Sequence, residues 1–214
     1  MSSTVQLYQR SFWVRAIAGF VVAAALLAVL GLFTTNSHLV IPHFDDYVRA
    51  GVQSIASPNL TALLRLLTRL GSTVGLTALG VVVVAVFLYM RRLRYIMLLL
   101  FVMAGQAVMQ YGFKAIFERE RPQALFDYMV GDTPSFPSGH ALAATCFFGL
   151  VAHLTSLNLV SRGSQIAVWT LAIVIVLIVG LSRIYFDVHY PSDVAAGYLA
   201  GLIWASSVAS GARR

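Results

Sequence analysis

The chain has 214 residues, of which 59% are hydrophobic and 11% charged, and its mean hydropathy is +0.81. A soluble domain is roughly 45–50% apolar, so the composition excludes an ordinary water-soluble globule and points to a bilayer as the natural solvent. The net charge of +7 comes with no basic stripe on a polar surface, so nucleic acid is not an expected partner, and the single cysteine, Cys146, excludes an intrachain disulfide.

A helix that crosses a hydrocarbon core about 30 Å thick needs about 20 apolar residues, each rising about 1.5 Å. Six stretches reach that length, at about 12–33, 71–90, 95–113, 140–159, 165–182 and 194–210. They predict an all-α fold, a polytopic six-helix membrane bundle forming one domain over 1–214. The first stretch follows Arg10 and Arg15 as the core of a signal peptide would. Its apolar run is too long for that, and Thr34-Thr35-Asn36 offers no small-x-small cleavage site, so it reads as a retained helix.

Residues 34–70 form the longest interval between spans and include the acidic pair Asp45-Asp46. Ser57 can cap a helix whose first turn suits Pro58. Leucines 60, 63, 64, 67 and 70 then recur at helical spacing, with Thr61, Arg65, Thr68 and Arg69 on the other side. A short interfacial helix is expected here, serving as an anchor or lining a lateral entrance for a lipid.

Orientation follows from the arginines. With the amino terminus in the cytoplasm, that face receives Arg10, Arg15, Arg91, Arg92, Arg94, Arg162, Arg213 and Arg214 and no acid, while all eight acids fall on the other face. The tight Arg91-Arg92-Leu93-Arg94 turn resists translocation. Both termini are therefore expected in the cytoplasm, with loops 34–70, 114–139 and 183–193 outside.

In the third span Gln106, Gln110 and Lys114 share one helical face, expected to look into the bundle with the glutamines in interhelical hydrogen bonds. Gly71/Gly75 and Gly197/Gly201 have the small-xxx-small spacing of close helix packing. Cys146 should pack inside its helix. His38, His43 and His153 are expected to be structural or exposed, and Arg119 is left without a role beyond a reach toward an outer phosphate.

Three motifs fall on the external face. Lys114 and Arg121-Pro122 place a point charge and a planar fork at the rim, a pairing suited to a phosphoryl group. In Pro137-Ser138-Gly139-His140, Ser138 can cap the next helix, Gly139 permits close backbone approach, and the helix amino terminus favours an anion. In Ser182-Arg183 through His189 to Asp193, Pro191 begins the last helix and brings Asp193 toward the ring of His189. An imidazole attacks phosphorus only with a neutral nitrogen, and a carboxylate on the other N–H fixes the tautomer and stabilises the cation formed.

These segments resemble, at all eleven fixed positions, the KxxxxxxRP, PSGH and SRxxxxxHxxxD signature of the type 2 phosphatidic acid phosphatase family. The resemblance implies a metal-independent phosphatase with no cofactor. Lys114, Arg121 and Arg183 would bind the phosphate with help from Ser138 and the Gly139 amide. His189 would become a phosphohistidine, braced by Asp193, while His140 protonates the leaving oxygen and later accepts a proton from water. The implied substrate is a lipid phosphate drawn from surrounding membrane lipids: undecaprenyl pyrophosphate first, then phosphatidylglycerophosphate or phosphatidic acid, in a bacterial cytoplasmic membrane. Two alternatives stay open, a phosphotransferase using the same intermediate and a lipid or anion transporter. Asn59-Leu60-Thr61 is a glycosylation sequon that keeps a eukaryotic source open. Oligomeric state is not legible.

Overall fold

The computed structural model describes residues 3–35, 40–129 and 131–210. His38, Arg213 and Arg214 lie outside them. All regular structure among the described residues is helical: α1 (Ser3–Thr35), α2 (Val40–Ser54), α3 (Pro58–Leu67), a 3-10 turn (Thr68–Gly71), α4 (Thr73–Tyr89), α5 (Leu93–Phe117), α6 (Gly139–Ser156), α7 (Arg162–Tyr185) and α8 (Pro191–Ala209).

Each of the six apolar stretches falls on a helix, yet length and composition single out fewer spans. Residues Arg10–Thr35 of α1, with α5 and α7, pass as membrane-crossing helices, and α3 with α4, bent by 56° at the 3-10 turn, makes a fourth, broken candidate. Apolar side chains such as Val21, Leu100 and Leu171 are exposed along the three long helices, as lipid contact requires. The protein is an integral-membrane one.

Helices α6 and α8 fall outside that count for a physical reason. They form the centre of the bundle and bury most of their surface against other helices, although Leu199 and Leu202 of α8 stay exposed. Their contact is close because Gly197 and Gly201 lack side chains. A Cβ on Gly197 would come 2.9 Å from the Ser138 carbonyl oxygen, and one on Gly201 would come 2.8 Å from the Thr145 Cβ. The pairs run in the same sense, so α6 and α8 are parallel and their amino termini lie at one end of the bundle. Cys146 is buried at this interface as expected. Gly105 likewise admits the indole of Trp204, which donates to the Val102 carbonyl at 2.9 Å.

Two sequence expectations are corrected. Gly75 meets the Arg69 carbonyl of its own bend rather than another helix, so its small size serves the break between α3 and α4. Gln106 does face inward, but its Oε1 is buried with no hydrogen-bond partner, so it does not link helices through that atom.

The segment 40–67 packs against the end of α7 and the residues that follow it. Ser57 caps α3 by accepting from the Leu60 N–H at 3.4 Å, with Pro58 in the first turn. Leu60 and Leu64 pack, with Val52 of α2, against the buried Tyr185, Phe186 and Val188. Leu63 stays exposed, so the leucine stripe is divided between the protein and its surroundings.

Candidate active site

Lys114 sits in the last turn of α5, buried, and its ammonium donates to the Pro134 carbonyl. The helix stops at Glu118, whose φ of 43° turns the chain aside. Arg121 lies in the loop beyond. It donates to the Thr133 carbonyl at 2.6 Å and the Thr133 hydroxyl at 3.0 Å, and to the Val188 carbonyl at 2.6 Å. The same guanidinium reaches Nε2 of His189 at 3.0 Å. Arginine has no acceptor, so Nε2 offers its lone pair and the ring proton sits on Nδ1.

Ser138 caps α6, accepting from the Ala141 N–H at 3.5 Å. Its own N–H donates to the Asp193 carbonyl at 3.1 Å, tying the start of α6 to the start of α8. A Cβ on Gly139 would come 2.5 Å from the Gln110 amide carbon, so its smallness accommodates that side chain. His140 follows, with its Cδ2 beside Gly71 of the 3-10 turn.

Arg183, in the last turn of α7, is buried. It donates to the Thr68 hydroxyl at 3.1 Å and the Tyr128 hydroxyl at 2.8 Å, and its Nε has no hydrogen-bond partner. A buried donor of this kind suits an anionic oxygen. Asp193 is fully buried. Its Oδ2 accepts from the Tyr190 N–H at 3.0 Å and lies 3.5 Å from Nδ1 of His189. That separation is a contact short of a hydrogen bond.

All the sequence-selected residues are thus at one end of the bundle. His140 lies within electrostatic reach of Arg183, His189, Arg121 and Lys114. Burial, and then the charges of Arg121, Arg183 and Lys114, hold His189 well below the ordinary imidazole value. Burial and Arg183 lower Arg121 to about 10, against the opposing pull of Asp193. The nucleophile candidate is therefore neutral at physiological pH, while Arg121 beside it remains a cation. A phosphoryl group entering here would meet three cationic side chains and two imidazoles, enough for nucleophilic displacement with acid assistance.

Several contributors escaped sequence reasoning. Thr68 and Tyr128 hold Arg183, and Thr133 holds Arg121, although none belongs to a motif. Arg119 does not reach outward to a phosphate. It turns inward to Asp193 at 2.5 Å, Ser192 at 2.9 Å and Asp45 at 2.9 Å, with its guanidinium 3.9 Å from the centre of the Tyr190 ring. Arg49 grips Asp187 through two hydrogen bonds of 2.6 and 2.7 Å. The four-residue spacing of Asp45 and Arg49 on α2, in a strongly amphipathic sequence, is the one signal that could have found this face.

The PAP2 superfamily profile matches residues 95–213. Phosphatidylglycerophosphatase B of Bacillus subtilis is 30% identical over 162 residues, which is 74% of this chain and 78% of that protein. Decaprenylphosphoryl-5-phosphoribose phosphatase of Mycobacterium tuberculosis is 37% identical over 91 residues, covering 41% of this chain and 45% of that protein. The crystal structure of the first transmembrane PAP2 type phosphatidylglycerolphosphate phosphatase from Bacillus subtilis superposes with a TM-score of 0.76. It is 26% identical and covers 91% of this chain and 94% of its own. With its helical fold, its clustered motif residues and a profile match over more than half its length, the chain belongs to the PAP2 superfamily.

Proposed function

We propose that the protein is a membrane lipid phosphatase working through a phosphohistidine at His189, without a metal. Nε2 of His189 attacks phosphorus and the bond to the leaving oxygen breaks as His140 gives that oxygen a proton. Water then attacks phosphorus, the P–N bond breaks, and His140 takes the water's proton. Lys114, Arg121 and Arg183 balance the phosphoryl charge, with Ser138 and the Gly139 N–H beside them, and Asp193 steadies the imidazolium. The substrate's oxygens displace Nε2 from Arg121 and free its lone pair.

One observation carries this reading: a neutral imidazole nitrogen 3.0 Å from a phosphate-suited guanidinium, with a buried carboxylate behind the same ring. An anion carrier would need the cations but not the carboxylate-backed imidazole. In this reading the chain is one domain of six spans with α3 at the interface. Its termini lie in the cytoplasm and its site faces outward, in a bacterial cytoplasmic membrane. Similarity to phosphatidylglycerophosphatase B of Bacillus subtilis over 162 residues moves phosphatidylglycerophosphate to the front of the substrate panel, ahead of the polyprenyl pyrophosphate favoured by sequence.

The test is phosphate release by purified protein from phosphatidylglycerophosphate, undecaprenyl pyrophosphate and phosphatidic acid, with and without EDTA. Turnover that resists EDTA and disappears in His189→Ala is expected. Full turnover by His189→Ala would end the proposal, and release that requires an acceptor lipid would reassign it to phosphotransfer.

A further inference from the structure

Arg119 is a buried charge that the reaction above does not use. Its side chain is 9% exposed, and the two carboxylates it bridges, Asp45 and Asp193, are 0% exposed. Asp45 comes from α2 and Asp193 from the first turn of α8, so the guanidinium joins two elements far apart in sequence. Asp45 also accepts from the Ser192 N–H at 2.8 Å and the Ser192 hydroxyl at 2.6 Å.

The arrangement has an electrostatic consequence. Paired with Arg119 alone, Asp193 would form a neutral unit and offer little to a cation forming on His189. Asp45 takes part of the same guanidinium, so the trio keeps one negative charge in excess. Arg119 fixes Oδ1 of Asp193 and the Tyr190 N–H fixes Oδ2, which leaves Oδ2 facing Nδ1 of His189. The Tyr190 ring under the guanidinium allows it little freedom.

We propose that Arg119 and Asp45 are positioning residues for the reaction, Arg119 fixing Asp193 toward His189 and Asp45 sharing the guanidinium, so that Asp193 stabilises the imidazolium formed on attack. This inference rests on the phosphohistidine reading. It also gives α2 a function, as the element that completes the charge balance behind the nucleophile.

The experiment compares steady-state kinetics, rapid-quench trapping of labelled phosphohistidine and thermal midpoints in detergent for Arg119→Gln, Arg119→Lys, Asp45→Asn and Arg49→Gln. Loss of a group that orients a reactive side chain costs about 10- to 100-fold, on the scale of outer-shell substitutions at metal sites. Arg119→Gln should lose that factor in kcat and in the rate of phosphohistidine formation, with KM little changed. Arg119→Lys should recover part of the loss, and Asp45→Asn should also slow phosphohistidine formation. Arg49→Gln removes the other brace from the His189 loop without altering the charge on Asp193. It should lower the thermal midpoint without the same loss in kcat.

Wild-type kcat in folded Arg119→Gln would overturn the inference. So would kcat losses in Arg119→Gln and Arg49→Gln that simply follow their losses in thermal midpoint. If Arg119→Gln does not fold, Asp45→Asn and Arg119→Lys decide by the same criteria. Activity in His189→Ala would instead remove the reading beneath, an outcome distinct from wild-type behaviour of the Arg119 and Asp45 variants beside an inactive His189→Ala.

Discussion

The guanidinium of Arg121 points a donor at Nε2 of His189 from 3.0 Å, so a phosphate-suited residue occupies the nitrogen proposed to attack phosphorus. In the proposed reaction an arriving anion would draw the donor away, making substrate arrival and exposure of the lone pair one event.

The fork geometry should matter more than the charge. Arg121→Lys keeps a cation but cannot bond Thr133, Val188 and a phosphoryl oxygen together. Losing a hydrogen bond to a charged group costs about 1.5–3 kcal/mol, or about 10- to 100-fold in kcat/KM. Steady-state kinetics on phosphatidylglycerophosphate measure this, and an unchanged kcat/KM would show that Arg121 contributes charge alone.

His189 should also govern acid stability. Its folded value lies below the ordinary one of about 6.5, so as pH falls the unfolded chain takes up the proton first. The contribution of the neutral buried ring is complete above about pH 6.5 and declines below it, because the unfolded state then binds more protons. Thermal midpoints in detergent between about pH 8 and about pH 5 should fall less steeply for His189→Gln than for the wild type. Parallel curves for the two proteins would contradict this.

His140→Ala should separate the two proton transfers. With a lipid phosphate the loss should be about 100- to 10,000-fold, the usual range for a general acid. An aryl phosphate, whose leaving group needs no proton, should still phosphorylate His189 and leave the intermediate to accumulate. Acid-quenched labelling reads this directly, and an equal loss on both substrates would assign His140 to binding instead.

Gly197→Ala tests the central contact. The added methyl meets the Ser138 carbonyl and the Leu142 N–H at 2.9 and 3.0 Å, both backbone atoms with little room to move. Overpacking of this kind costs about 1–3 kcal/mol. Activity should fall along with the thermal midpoint, because Ser138 and Asp193 are bonded across the same junction.

Much of this was legible in the sequence. Apolar runs located the six long helices but not α2, and three motifs located Lys114, Arg121, Arg183 and His189, the charged and titratable groups that His140 faces. What stayed hidden depends on contacts distant in the chain. Arg119 stands between Glu118 and Glu120 and reads as part of a solvated charge run, while its partners at 45 and 193 lie 74 residues away on either side. The span count was blurred for a related reason. Shielding of α6 and of most of α8 by their neighbours relaxes their need for lipid-like side chains, and only packing reveals the shielding.

The parallel course of α6 and α8 puts two positive helix termini at one mouth, each equivalent to about half an elementary charge. They are not treated alike. The start of α8 is quenched by Asp45 on the Ser192 N–H and by Asp193 in its first turn. The start of α6 carries the neutral hydroxyl of Ser138 and no acid in its first turn. In the proposed reaction an incoming anion would therefore meet a less compensated dipole on the His140 side than on the His189 side.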